Sequence, residues 1–282
     1  MLELFLSSFD LPITARTIIG LVLLCAAFAP ISIFVVQRGL SLGGEALTHG
    51  MLPGLWLAYA VSGSLSIGLL IGGYATAWLI VVLASLLAWR SLFKYDAVLG
   101  SIYIPFYALG VILVSTSSSG YDFLEFIKGS PLGIRWPIVE LCFYAMLVSI
   151  PVMMILRRPL TLQSQDPAFF ASLYRLGWVV TQAFMAVFVF AIVTAVVTYG
   201  VLFAIALAIF PGLTARVWAN SVTHIWLLSF VFGLIGFVGG FFVGLLLSNL
   251  ATGPLMVLTA AGVWLVSYLI GPYGLRRSLQ SS

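Results

Sequence analysis

Residues 38–58 read RGLSLGGEALTHGMLPGLWLA, a charge followed by an apolar run that carries one carboxylate and one imidazole. Glu45 and His49 lie four residues apart, so on a helix they share one face, one turn above the other. Pro53 follows His49 by four. In a helix it lacks the N–H that would bond the carbonyl of residue 49, and its ring pushes that carbonyl aside. One short segment can thus offer a carboxylate, an imidazole and a freed carbonyl. Glycines at 43, 44, 50 and 54 let other backbones come close. An ionisable pair inside a membrane span is a functional-site hypothesis by default.

That the stretch lies in a membrane follows from composition. The 282 residues are 62% hydrophobic and 7% charged, with mean hydropathy +1.20, whereas soluble domains carry about 25% charged residues. The chain reads as a polytopic, all-α membrane protein. Its net charge of +4 fits positively charged cytoplasmic loops. No basic run interleaved with aromatics sits in a polar segment, so nucleic acid is set aside as a partner. Cys25 and Cys142 fall in apolar stretches and read as small core hydrophobes.

Spans of about 20 apolar residues are expected at 17–36, 40–61, 67–89, 97–115, 137–156, 177–199 and 254–271. Residues 1–16 form an amphipathic lead-in outside the membrane, 17–272 the permease body and 273–282 a cytoplasmic tail. Polar segments at 116–136 and 159–174 interrupt the spans. Residues 201–215 are apolar but short, and 217–247 make one kinked helix or two half-helices, so the bundle has eight or nine helices. Placing the N-terminus outside puts nine of the twelve basic residues inside: Arg38, Arg90, Lys94, Arg157, Arg158, Arg175, Arg216, Arg276 and Arg277. An external N-terminus and internal C-terminus need an odd number of crossings, which favours nine.

Pro53-Gly54-Leu55 in the first half has a counterpart in Pro211-Gly212-Leu213 in the second. Paired Pro/Gly interruptions point to hinges beside a transport route between repeats. Glu45 and His49 offer oxygen and nitrogen donors suited to zinc, manganese or iron(II), with remaining ligands from a facing helix, a carbonyl or water. The structural alternative is a Glu–His hydrogen bond between helices. His224, the second of two histidines, is either a satisfied interfacial side chain or a further ligand. Asp96 reads as a helix cap. Asp166 followed by Pro167 caps a short helix that runs through Ala168, Phe169, Phe170 and Ala171; on the cytoplasmic side it can dock a soluble partner. Neither lysine is preceded by glycine, so GxxxxGK[ST] is absent, as is HExxH. An enzyme is not indicated.

The motifs together resemble the metal-ion family of bacterial ABC importer permeases, the zinc/manganese-type membrane subunits. The family pattern S-L-x-G-D-A-L-S-H-A-x-L-P-G aligns with Ser41 to Gly54. Asp96, Gly100 and Ala108 to Val111 resemble its fourth-span region, and Asp166 with Gly177 its docking segment. Phe210 to Ala215 resemble its P-A-A-T-A turn, and Ser248 with Thr252-Gly253-Pro254 its late motif. The resemblance implies a fold like that of the vitamin-B12-importer permease. It implies a homodimer in the bacterial cytoplasmic membrane, two cytoplasmic ATPase subunits and an extracytoplasmic metal-binding protein. It also implies metal coordination by Glu45 and His49, with Zn2+ or Mn2+ as cargo and no resident cofactor. Three departures stand out: Glu45 replaces Asp, Gly50 replaces Ala, and Ala251 stands where Pro is common. The other functional readings are a secondary transporter with Glu45 as proton or ion carrier, and a membrane scaffold whose polar groups only join helices.

Overall fold

The computed structural model describes residues 13–62, 67–90, 93, 95–116, 134–173, 177–247 and 251–275. Its elements are α1 (Ile13–Gln37), α2 (Ser41–Gly50), α3 (Leu52–Ser62), α4 (Ile67–Arg90), α5 (Tyr95–Thr116) and α6 (Trp136–Gln165). There follow α7 (Pro167–Leu173), α8 (Gly177–Tyr199), α9 (Val201–Arg216) and α10 (Val222–Gly233). A π turn (Leu234–Val238) leads into α11 (Gly239–Leu246), and α12 (Thr252–Ile270) ends the bundle. The expected all-helical architecture holds, for the reason lipid imposes it: a helix satisfies its own backbone where no water can.

Seven helices among the described residues are long and apolar enough to cross a membrane. The broken pair α2–α3 and the 16-residue α9 add two further segments. Residues 222–246 run as one helix through the π turn, which settles the doubt over 217–247. The polar stretch after Arg158 departs from expectation. It continues α6 to Gln165, through Pro159, instead of leaving the helix. The reason is side-chain pairing: the Gln163 carbonyl accepts from the Arg38 guanidinium, and the Gln163 amide donates to Thr181 at 3.1 Å. α1 begins at Ile13, inside the expected lead-in. Residues 1–12 of that lead-in, 117–133 of the first polar segment and 276–282 of the tail lie outside the described residues.

α1 and α8 form the centre, buried over 72% and 67% of their spans, whereas α5 is buried over only 17%. α1 packs on α6, α9 and α10, and α9 also meets α8 and α12, so its short length is covered by protein. Sparse hydrogen bonds join these helices. Ser32 and Ser229 share one of 2.9 Å between α1 and α10. The Tyr199 hydroxyl donates to the Thr17 carbonyl at 2.7 Å, close against Gly20. Gln182 of α8 donates to Ser85 of α4 at 2.6 Å. Cys25 and Cys142 are buried and free, as expected.

Glycine sets the closest crossings. Gly236, Gly240 and Gly244 recur every fourth residue and meet Ala260, Met256 and Thr252 of α12, the small-residue packing that suits helices in lipid. A π turn frees carbonyls, and that of Gly236 is taken by the Thr259 hydroxyl at 2.7 Å. At the α8–α9 joint Gly200 has φ +92°, which lets one helix end and the next begin without a loop.

Candidate metal station and docking segment

α2 starts directly after the turn Arg38–Gly39–Leu40, where Gly39 takes φ +66°. It packs against α5, α9, α8 and α4. Its inner face is buried through Gly43, Gly44, Ala46, Leu47, Thr48 and Gly50, while Glu45 is exposed and His49 half-buried. The two ligand candidates share the open face, with Cβ atoms about 5–6 Å apart at this spacing. The Thr48 hydroxyl donates to the Glu45 carbonyl at 3.0 Å. The His49 ring meets Tyr107 of α5 edge to face, with centroids 5.2 Å apart and planes at 68°.

The helix breaks at Met51, where the amide turns to the carbonyls of Leu47 and His49. The interruption expected from Pro53 is therefore present, two residues ahead of the ring. Its counterpart is not: α9 runs unbroken through Pro211. What the two Pro-Gly pairs do share is close packing. A Cβ on Gly54 would run into Thr76 and the Gly72 carbonyl of α4. A Cβ on Gly212 would lie 2.6 Å from the Ser32 carbonyl oxygen of α1. Pro53 in turn lies against Gly110 of α5, where a Cβ would stand 3.0 Å from the proline ring.

Among the described residues, no three His, Cys, Asp or Glu side chains gather where they could hold a metal ion. His224 is thus not brought to Glu45 and His49. It is exposed near the start of α10, lining a groove with Arg157 and Thr223. Glu45 and His49 offer two donors, so a metal held there would need further donors from outside this chain's described acidic and imidazole groups. Tyr107 had no signal in spacing, since only the packing of α5 on α2 brings it to His49.

The segment after α6 folds as the capping residues dictate. The Asp166 carboxylate accepts from the Phe169 amide at 2.9 Å, and α7 follows. Phe170 is buried, its ring packed where a Cβ on Gly177 would sit 2.7 Å away. Phe169, Leu173 and Trp178 are exposed by 51%, 58% and 59%, which leaves an apolar knob beside a capped turn. The side chains of Pro167 and Ala171 lie outside the described set; Ala168 is exposed.

Arg38 joins this end of the molecule to α2. Its guanidinium bonds Gln163 and lies 5.4 Å from the Phe184 ring centroid. Burial pulls it down to about 10, still a cation at neutral pH. The Arg157–Thr223 bond of 3.3 Å and the Tyr273 amide bond to the Val217 carbonyl put α10's start, α9's end and α12's end on the same side. Among the described residues, Arg38, Arg157, Arg158 and Arg216 therefore lie toward one end of the bundle.

A multi-pass helical bundle with a polar pair in one broken span defines the class of a polytopic membrane protein. Residues 10–271 match the ABC 3 transport family, and the chain belongs to that family as the membrane subunit of an ABC transporter. It is 31% identical over 239 residues to the manganese import system permease protein ScaB of Streptococcus parasanguinis, covering 85% of this chain and 84% of that one. It is 28% identical over 240 residues to the manganese transport system membrane protein MntC of Listeria monocytogenes, with the same coverage of 85% and 84%. In fold it is similar to a chain of the PsaBC complex from Streptococcus pneumoniae, with TM-score 0.80, 24% identity, and coverage of 99% of this chain and 100% of that chain.

Proposed function

We propose that the chain is the permease of an ATP-driven importer of a divalent transition metal, with Glu45 and His49 as a transient station for the ion. One observation carries the reading: a carboxylate and an imidazole share the open face of α2 inside a membrane bundle. A charged side chain at mid-membrane costs about 2.5–3.5 kcal/mol on insertion scales, so it faces a water-filled route or a partner, not lipid. At 1.5 Å per residue the pair lies about 10–17 Å past Arg38, within the bilayer. Two donors bind weakly enough to release the ion, which conduction requires. A second copy seated on the exposed α5 would bring a second pair and complete the coordination. Manganese is the first cargo to test and zinc the second. The relatives above are named for manganese, and the donors are oxygen and nitrogen with no thiolate among them.

The orientation places Arg38, Arg157, Arg158, Arg216 and α7 in the cytoplasm, with an extracytoplasmic metal-binding protein delivering the ion on the other side. Separate ATPase subunits dock on the Asp166-capped helix and its exposed Phe169 and Leu173. Their motion reaches α2 through α6: Gln163 at its end holds Arg38, seven residues before Glu45. The small-residue crossings Gly54–Gly72 and Gly110–Pro53 let α3, α4 and α5 slide between outward and inward access.

The experiment is uptake of first-row metals by cells with and without the chain, under ATP depletion and under an uncoupler. ATP-driven import predicts that manganese or zinc content falls without the chain and that uptake stops on ATP depletion. Uptake that survives ATP depletion and collapses with the uncoupler would make Glu45 the proton carrier of a secondary transporter instead.

A further inference from the structure

Between α1, α6 and α10 runs a groove of about 560 Å³. Its floor is the small Ala26 and Ala29, and its walls include Ile150, Met154, Leu227 and Phe230. Met154 and Leu227 are 62% and 65% exposed, so the walls open to the side of the bundle. At one end stand Arg157 and His224. There a second, polar hollow of about 410 Å³ begins, lined by Arg157, Arg158, Thr161, Ser221 and Thr223 among others. The two hollows share Arg157 and Thr223. Among the described residues, no carboxylate lines either.

We propose that this composite site holds one anionic phospholipid of the bilayer. Its acyl chain lies on Ala26 and Ala29 between α6 and α10, and its phosphate sits at Arg157 and Arg158. Four features fit that occupant together. The apolar part opens sideways, where lipid tails are. The charged part lies at the end of the bundle where Arg38 and Arg216 also stand, and basic pockets between membrane helices near the membrane surface take phosphate headgroups. Arg157 spends one N–H on Thr223 at 3.3 Å, and the fork of a guanidinium can still meet phosphate oxygens two at a time. The α10 N-terminus beside it has no side-chain cap bond at Ser221, so its dipole adds to the positive field. The site is separate from the Glu45–His49 station, and its occupancy does not depend on which ion is carried.

Native mass spectrometry of the purified full chain tests it, with phosphatidylglycerol against phosphatidylcholine as probes and glycerol phosphate as competitor. The expected result is preferential retention of one phosphatidylglycerol per chain. Retention should fall about fivefold in Arg157→Gln and about thirtyfold when Arg158→Gln is added, at roughly 1 kcal/mol per arginine. Arg157→Lys, which keeps the charge but not the fork, should retain more lipid than Arg157→Gln and less than the parent, and Leu227→Trp, which fills an exposed wall, should lower retention without altering charge. Each variant is compared at equal thermal midpoint, which separates lost binding from lost fold. Equal retention of both lipids, or no change in Arg157→Gln, overturns the proposal. So does displacement by glycerol phosphate alone, which would show a phosphate site without a lipid tail.

Discussion

Glu45 carries one methylene more than the aspartate of the family pattern, and it stands on the open face of α2 with His49 one turn on. His49 is not left to its own rotamers, because the Tyr107 ring packs against it edge to face, with centroids 5.2 Å apart. Aromatic pairs of this kind contribute about 0.5–1.5 kcal/mol. Tyr107→Ala is therefore expected to raise the half-saturating metal concentration several-fold, and Tyr107→Phe to leave it near the parent value, measured as initial uptake against metal concentration. The sequence made Glu45 and His49 legible, since an ionisable pair in apolar surroundings stands out at fixed spacing. It could not reveal Tyr107, 58 residues beyond His49, or Gln163, 125 residues beyond Arg38, because those pairings exist only once the helices pack.

At the scale of elements, the crossings depend on where a side chain is missing. Gly54 abuts Thr76 and the Gly72 carbonyl, whereas a Cβ on Gly100 or Gly262 would meet nothing within 4 Å. Overpacking costs about 1–3 kcal/mol, and Gly→Ala in an open helix position gains up to about 1 kcal/mol in propensity. Gly54→Ala should thus lower the thermal midpoint in detergent, while Gly100→Ala and Gly262→Ala hold or raise it. Equal effects at all three positions would mean that the α3–α4 crossing is not tight. The span boundaries were legible from hydropathy, as was the break near Pro53. The continuation of α6 through Pro159 was not, because a polar run after two arginines reads as a loop until Arg38 and Thr181 supply its partners. The same limit applies to α9, where Pro211 suggested an interruption and the helix carries it unbroken.

Across the whole molecule, the distribution of basic residues in the sequence predicts an external N-terminus and an internal C-terminus. Cys25 and Cys142 are buried, so an introduced cysteine can be read against a quiet background. Thr116→Cys should react with a membrane-impermeant maleimide added to intact cells, and Gln165→Cys only after permeabilisation; the reverse pattern would invert the topology. On the proposed function, the ATPase meets the cytoplasmic face and the ion passes the pair on α2. The most direct measurement is therefore manganese and zinc uptake by the Glu45→Ala/His49→Ala chain at matched expression, in cells that hold its ATPase and delivery partners. Uptake should fall to the level of cells lacking the chain, with the protein still folded and in the membrane. Import at the parent rate would contradict a role for the pair in carrying the metal.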